Sequence, residues 1–277
     1  MKAYLKDLLK KIKLYHPLQF LYRSCINFTR NKFFQLTYLK YKGRGFTCNF
    51  CRESYKKFVP EYPSADISHA IESNDVIAGY GVNVYCPNCM SKNRERLVLD
   101  VIQNELPIRP RTVLHFSPEK HLYNYLKARA SVTTVDIMPG FYKGIDRSVR
   151  YADATSLLFE DESFDMIIAN HILEHIPNDT AAMREMFRVL RKGGVAILQV
   201  PYSVELASTI EEPFINDPAR QAKLFGQKDH VRIYALPDYI TRLKDCGFTV
   251  NKLTPEYLKK YAKHAIQDEE CVIMGLK

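Results

Sequence analysis

Two pairs of cysteines have the spacing of metal ligands. Cys48-Asn-Phe-Cys51 and Cys86-Pro-Asn-Cys89 are C-x-x-C motifs, with residues 52–85 between them. Each motif lets two thiolates turn toward one ion, and two such turns complete a tetrahedral shell with bonds of about 2.3 Å. Zn²⁺ suits a closed thiolate site and has no redox chemistry of its own. We therefore expect a structural zinc ion here, with four unconnected cysteines or a redox dithiol as the alternatives.

A second group of polar residues follows apolar segments in the C-terminal half. His115-Phe-Ser-Pro-Glu119 begins inside the segment 112–116, Asp136 lies at the end of the next segment, and Asp153 follows a third. An acid at the end of the second strand of a nucleotide-binding unit can accept hydrogen bonds from both ribose hydroxyls. The later acid can accept from an adenine amino group. This order predicts a site for an adenosine-containing cofactor.

One motif resembles a zinc peptidase pattern. His171-Ile-Leu-Glu174-His175 matches H-x-x-E-H, which places two histidines four residues apart. The segment directly follows a predicted buried strand, and the sequence offers no third ligand beside it. We therefore expect no peptidase site, and we expect structural hydrogen bonds to satisfy His175.

The elements that must position these residues alternate between strands and helices from residue 107 onward. The predicted strands are 112–116, 132–137, 164–170, 194–200, 248–253 and 270–276. Helical stretches separate the first four, which predicts an α/β fold with a doubly wound, mostly parallel sheet. Ligands of such sheets bind at the carboxyl ends of the strands, where the polar residues above would meet.

Positive charge is concentrated at the start of the chain. Residues 1–45 hold eleven Lys and Arg against a single acid, whereas the remaining residues have a net charge of −1. Leu5, Leu8, Leu9 and Ile12 share one helix face. This basic extension either packs on the rest of the protein or contacts an anionic membrane or an acidic partner through residues 1–42. Because the other residues are nearly neutral, nucleic acid is the less favoured partner.

No apolar run is long enough to span a bilayer, and lysines interrupt the leucines of the first 13 residues. We expect a cytoplasmic protein, peripheral to the membrane if the extension binds lipid.

Four phrases make residues 107–277 resemble class I S-adenosylmethionine-dependent methyltransferases: VLHFSPE, TTVDI, YADATSLLFEDESFDMIIANHILEHI and AAMREMFRVLRKGGVAILQVP. The C-x-x-C motifs together with FGQKDHVRIYA resemble a bacterial subfamily of these enzymes. The resemblance implies a Rossmann-like sheet of seven strands with the last strand antiparallel. It also implies a basic helical extension (1–45), a small zinc-ribbon-like module (46–95) and a methyltransferase domain (96–277).

The same resemblance implies which residues bind S-adenosylmethionine. They are His115, Phe116, Ser117, Pro118, Glu119, Asp136, Ile137, Asp153, Ala154, Asn170 and His171. Asp136 would hold the ribose, Asp153 the adenine and the 115–119 loop the methionine part. This loop lacks the glycines that most relatives carry. Glu119 would contact the cofactor's amino group or cap the following helix.

Methyl transfer to a protonated oxygen or nitrogen requires a base, for which histidine is suited near neutral pH. The candidates are His171, Asp229 and His230, although the last two could equally anchor a loop. We expect methylation of an oxygen or nitrogen atom of a small-molecule or glycan-type acceptor. The alternatives are an RNA methyltransferase whose zinc module and basic arm grip the backbone, and a non-catalytic scaffold.

Overall fold

The structure is a computed structural model that describes residues 15–106 and 108–277. The amphipathic segment from Leu5 to Ile12 lies outside the described residues. The described part of the extension forms helix α1 (Tyr15–Thr37). Pro17 lies in the first described turn of α1, where proline is tolerated.

Seven further helices and fifteen strands follow α1 in the described residues. The helices are α2 (Ala65–Ser73), α3 (Asn93–Asn104), α4 (Lys120–Leu126), α5 (Asp179–Val189), α6 (Pro218–Phe225), α7 (Leu236–Asp245) and α8 (Pro255–Leu258). The strands are β1 (Lys42–Thr47), β2 (Ser54–Tyr55), β3 (Val59–Glu61), β4 (Val76–Ile77), β5 (Gly81–Tyr85), β6 (Thr112–Phe116), β7 (Ser131–Asp136), β8 (Arg150–Tyr151), β9 (Phe164–Ile168), β10 (Leu190–Ile197), β11 (Tyr202–Ser203), β12 (Ile210–Glu211), β13 (Arg232–Ala235), β14 (Thr249–Leu253) and β15 (Val272–Leu276).

The main sheet has seven strands in the order β14-β15-β10-β9-β6-β7-β8. The strands from β10 to β8 are parallel, whereas β15 runs antiparallel to both of its neighbours. The predicted Rossmann-like sheet with an antiparallel last strand is therefore confirmed. Successive strands diverge from β6 in both directions, which opens a crevice at the carboxyl ends of β6 and β9.

Apolar runs build this sheet because helices cover both of its faces. The side chains of Val113 and Leu114 in β6 are fully buried, as are those of Met166 and Ile167 in β9. Helix α5 buries one stripe of residues against the sheet: Ala182, Met183, Met186 and Val189. Burial of each methionine or valine side chain in this stripe contributes about 1.5–3 kcal/mol to the hydrophobic stabilisation.

A smaller sheet with the order β12-β13-β11-β4 lies beside the crevice. β4 pairs with β11, although the two strands lie far apart in the chain. Helix α2 packs against α6, where a Cβ on Gly226 would lie 2.6 Å from the Cδ1 atom of Ile71. The division at residue 95 stays a prediction, but these contacts cross it.

Near the start of the described chain, β1 pairs with β2 and β3 pairs with β5, both antiparallel. Among residues 15–106 and 108–277, no helix combines the length and apolar character needed to cross a bilayer.

Candidate active site and metal centre

A cavity of about 1080 Å³ opens at the carboxyl ends of β6, β7, β8 and β9. It is large for a small-molecule site, for which about 300–1,000 Å³ is typical. Ten of the predicted site residues line it: Phe116, Ser117, Glu119, Asp136, Ile137, Asp153, Ala154, Asn170, His171 and Asp229. His115 and Pro118 do not line this cavity, and His230 lines a smaller neighbouring cavity instead.

Asp136 lies at the end of β7 with both carboxylate oxygens already oriented. One oxygen accepts a hydrogen bond from the Ser117 hydroxyl, and the other accepts from the backbone N–H of Met138. Because a carboxylate oxygen can accept two hydrogen bonds, each keeps capacity toward the cavity. The carboxylate is thus held in place by donors from two consecutive loops.

Glu119 lines the cavity and contacts residues at the ends of β6 and β9. Its oxygens lie 3.0 Å from His115 Nε2 and 3.2 Å from Asn170 Nδ2. Burial raises the pKa of Glu119, but the His115 and Asn170 contacts outweigh burial, so the net pKa lies below its usual value. Glu119 makes no side-chain bond to the amino end of α4, so the helix-capping alternative is wrong.

The glycine-free loop adopts a backbone conformation that usually favours glycine. Ser117 has φ of +42°, in the left-handed region, and its N–H donates to the Val135 carbonyl at 2.9 Å. Such a conformation costs a non-glycine residue about 1–2 kcal/mol. The loop therefore makes its tight turn at a serine, whose hydroxyl reaches Asp136.

The opposite wall is formed by the turns after β7 and β8. Asp153 accepts from both the N–H and the hydroxyl of Thr155, at 2.8 and 2.7 Å, so one of its oxygens is engaged within its own turn. Ile137 and Met138 line the cavity while 54% and 51% exposed. Their exposed apolar side chains can pack on a planar ring of a ligand bound in the cavity.

His171 lies where β9 ends, with φ of +54°. Its N–H donates to the Gln199 carbonyl at 2.7 Å, and its Nδ1 lies 3.3 Å from Glu174 Oε1. Burial is the main cause that lowers the pKa of His171. A neutral imidazole in this position can accept a proton.

Asp229 and His230 come from the segment between α6 and β13. Asp229 is 68% exposed at the cavity, and its backbone carbonyl lies 3.2 Å from His175 Nδ1. The prediction that structural hydrogen bonds satisfy His175 is therefore confirmed for one ring nitrogen. The rings of His175 and His230 pack edge to face, with 4.7 Å between their centroids. Burial lowers the pKa of His230 to about 4, which leaves this ring uncharged near neutral pH.

The cluster around H-x-x-E-H differs from the expectation in one respect. His230 lies beside Glu174 and His175, so the structure supplies a third potential ligand that the sequence did not offer. The reason is that β13 and the loop before it pack against the turn 173–175, far away in sequence.

Arg232 fixes this packing. Its buried guanidinium donates to the carbonyls of Leu173, Ile176 and Pro177 at 2.5–2.9 Å. It also donates to Glu211 at 2.9 Å. The three backbone carbonyls that Arg232 binds could not be identified from the sequence.

Arg94 is a cavity residue that sequence reasoning did not assign. It lines both cavities from the first turn of α3, and its Nε atom is buried without a hydrogen-bond partner. A guanidinium aimed into a cavity suits a carboxylate ligand. Its position shortly after the second C-x-x-C motif was the available signal.

The four predicted cysteine ligands come together. Cys48 Sγ lies 3.7 Å from Cys89 Sγ, and Cys51 Sγ lies 3.6 Å from Cys86 Sγ. A tetrahedral shell with bonds of about 2.3 Å requires sulfur separations of about 3.8 Å. The donor set therefore fits zinc.

Both C-x-x-C motifs fold in the same way. Arg52 donates its N–H to the Cys48 carbonyl, Met90 donates to the Cys86 carbonyl, and both donors have left-handed φ of 66° and 63°. Each turn therefore aims two sulfur atoms in one direction.

Arg96 joins this cluster to the rest of the protein. Its fully buried guanidinium donates to five carbonyls, which belong to Asn83, Val84, Ser91, His264 and Ala265. The turn of the second motif is thereby tied to the segment before β15.

Comparisons with known proteins agree with this architecture. The family described as a methyltransferase domain matches residues 119–198. The uncharacterized methyltransferase YcgJ of Bacillus subtilis is 27% identical over 154 residues, which is 54% of this chain and 55% of that protein. The C-methyltransferase UbiE of Idiomarina loihiensis, in ubiquinone/menaquinone biosynthesis, is 35% identical over 74 residues, covering 26% of this chain and 29% of its own.

Among solved structures, a SAM-dependent methyltransferase from Archaeoglobus fulgidus aligns with 68% of this chain and 95% of its own. The TM-score is 0.46 at 14% identity, too low to add to the strand order above. The chain spans about half or less of the curated relatives named here. Residues 119–198 are thus similar to a methyltransferase domain, in agreement with the resemblance that the sequence carries.

Proposed function

We propose that the protein transfers a methyl group from S-adenosylmethionine to an oxygen or nitrogen of a small-molecule or glycan-type acceptor. One observation carries this proposal: Glu119, Asp136 and Asp153 line a single cavity at the carboxyl ends of the parallel strands. These groups match the amino, ribose and adenine parts of the cofactor.

The chain's own residues would bind the cofactor in an extended pose. Asp136, oriented by Ser117 and Met138, would accept from the two ribose hydroxyls. Ile137 and Met138 would cover the adenine. Glu119 would accept from the amino group, and Arg94 would bind the carboxylate. Bound S-adenosylmethionine supplies an electrophilic methyl on its sulfonium.

The far end of the cavity would hold the acceptor. His171 Nδ1 faces Glu174, so Nε2 is the ring atom that can take a proton from the acceptor. Asp229 would orient the acceptor at the cavity rim. The near-neutral charge of residues 46–277 supports a small acceptor over RNA, since phosphate contacts dominate nucleic-acid affinity.

Calorimetry with S-adenosylmethionine tests the cofactor site. We expect saturable binding by the full chain, and at least a tenfold loss of affinity in Asp136→Ala, because two charge-assisted bonds to the ribose are lost. Asp268→Ala, which removes an exposed carboxylate, is the matched control. No saturable heat in the wild-type chain would support the scaffold alternative, and unchanged affinity in Asp136→Ala would contradict the placement of the ribose.

We also propose that Cys48, Cys51, Cys86 and Cys89 hold a structural zinc ion in a zinc-ribbon-like module. All four positions are protein ligands, so the ion would stabilise the fold rather than activate water. Cys86→Ser should lower the zinc content per chain and destabilise the N-terminal half. Cys246→Ser, in a buried cysteine outside the cluster, should keep the zinc; a full zinc complement in Cys86→Ser would refute the site.

The extension, we propose, contacts an anionic membrane surface through residues 1–42. Support comes from the described part of α1 and the turn after it, which expose Ile26, Phe28, Phe33, Leu36 and Leu39. Gln35 and Arg30 tie the helix to Asn88 and Tyr85 near the second C-x-x-C motif. Deletion of residues 1–42 should abolish pelleting with anionic vesicles and spare cofactor binding. Pelleting that survives the deletion would overturn this proposal and leave an acidic partner as the alternative.

A cytoplasmic location is part of the proposal, since the four clustered cysteines require reduced thiols to bind metal.

A further inference from the structure

A second cavity adjoins the proposed acceptor end. It has a volume of about 220 Å³ and shares Arg94, His171 and His175 with the larger cavity. One ligand atom from each of Glu174, His175 and His230 lies within 4.8 Å of the other two. This cluster is separate from the four cysteines.

Glu174 is buried in this cluster beside histidines but without a hydrogen bond to its carboxylate. Its side chain is 0% exposed, and neither carboxylate oxygen accepts a hydrogen bond from a described residue. His171 Nδ1 lies 3.3 Å away, outside good hydrogen-bond geometry, and His230 Nε2 lies 3.9 Å away. A buried carboxylate that faces imidazoles and accepts no hydrogen bond has both oxygens available to a cation.

His230 presents a lone pair to the same point. Its Nδ1 lies 3.2 Å from the Phe225 carbonyl oxygen, which can only accept, so Nδ1 carries the hydrogen. In the neutral ring the lone pair is then on Nε2, the atom nearest Glu174. Metal-bound histidines are typically oriented by such a bond from their second nitrogen. Two acceptors therefore face each other, and a metal ion between them would satisfy both.

We propose that Glu174, His175 and His230 bind a divalent first-row transition metal ion that positions the acceptor's oxygen for methyl transfer. The role in methyl transfer rests on the proposed function, whereas the binding of the ion does not. Bonds of about 2.0–2.2 Å require ligand separations of about 3.0–3.4 Å, so the 3.9 Å between Glu174 and His230 needs only a small adjustment. Two imidazoles and one carboxylate leave coordination positions open.

All three ligands line the smaller cavity, and the open positions would face its junction with the larger cavity, which His171 and His175 border. There the ion would favour loss of the proton from the acceptor's hydroxyl. That proton passes to Nε2 of His171. The oxygen's electron pair forms the new O–CH₃ bond while the S–CH₃ bond breaks, and the electrons of that bond remain on sulfur. The step is redox-neutral and needs no further reactant.

Titration of the full chain with Mn²⁺, followed by electron paramagnetic resonance, tests the site. Mn²⁺ prefers carboxylate and water oxygens to thiolates, so the cysteines should not take it up. We expect one Mn²⁺ per wild-type chain and at least tenfold weaker binding in His230→Gln and in His175→Gln. His175 is partly exposed, so its variant should fold even if the buried His230 variant does not. His69→Gln, in an exposed histidine of α2, should bind like the wild type.

Absence of Mn²⁺ binding by the wild-type chain would overturn the proposal, and so would equal binding by all variants. Calorimetry with S-adenosylmethionine on the same samples separates the two claims. Cofactor binding without Mn²⁺ binding refutes the metal site alone, whereas Mn²⁺ binding without cofactor binding refutes the proposed function alone. If both bind, Mn²⁺ should broaden the methyl proton resonance of the cofactor; an unaffected resonance would refute the ion's role beside the methyl group.

Discussion

The two ends of the large cavity are assembled in different ways. At the cofactor end, Glu119, Asp136 and Asp153 each follow a strand of the parallel sheet within a few residues. At the acceptor end, His175 and Asp229 meet because β13 and the preceding loop pack on the turn 173–175. The first end is built by consecutive strand–helix units, and the second by a long-range contact.

The difference also appears in how buried charge is compensated. Both carboxylate oxygens of Glu119 contact a nitrogen of His115 or Asn170. Near the acceptor end, Glu174 lacks hydrogen-bond donors, and Glu270 is buried with only one oxygen bonded. The Glu119 carboxylate at the cofactor end is thus held by contacts within the chain. The acceptor end depends on one arginine clamp and, by our inference, on an ion.

The largest expected effect comes from removing the guanidinium of Arg232, which we call the arginine clamp of the acceptor end. Arg232→Ala leaves Glu211 and Asp179 with one cationic partner fewer and frees three carbonyls, so we expect the free energy of unfolding to fall by about 3–5 kcal/mol in urea titrations. Cofactor affinity of the folded protein should stay within about threefold, since the cofactor end is built independently.

Arg220→Ala is the matched control for this clamp. It removes an exposed arginine paired with Glu212. We expect this variant to lower the free energy of unfolding by less than about 1 kcal/mol. Equal destabilisation by the two variants would contradict the special role of Arg232.

An intermediate effect is expected from Glu270. Burial raises the pKa of this carboxyl to about 7, compared with 4.5 for the free group. Between these values the unfolded chain loses the proton while the folded chain keeps it, so stability falls as pH rises through this window, by up to about 3 kcal/mol. Glu270→Gln should match the wild type at pH 4 and exceed its stability at pH 8.

Thermal unfolding as a function of pH measures this difference, with the exposed neighbour Glu269→Gln as the control. If the wild type is as stable as Glu270→Gln at pH 8, contacts within the folded chain must stabilise the ionised carboxylate of Glu270.

The smallest effect concerns the cofactor loop. Ser117→Gly and Ser117→Ala both lose the hydroxyl bond to Asp136, but only glycine relieves the left-handed backbone. Chemical denaturation should therefore show Ser117→Gly more stable than Ser117→Ala by about 1 kcal/mol. An alanine variant that is equally stable would show that the turn relaxes without strain.

Sequence patterns predicted the main sheet closely because fully buried strands require continuous apolar runs. The segment 112–116 is β6 residue for residue, and Asp136 was expected where it lies because it follows such a run. The small sheet was missed, since strands of two to four residues such as β4 and β11 have no detectable period. Arg94 was missed because a single arginine at a helix start has no distinctive spacing.

By itself, the sequence determined the parallel sheet, the order of the cofactor-site acids and the two C-x-x-C turns, because each depends on residues close together in the chain. Only the tertiary structure decided that Glu174 lies without donors beside His230 and that Arg232 clamps the acceptor end. These features depend on contacts between distant segments, whose relative positions are set by packing rather than by local spacing.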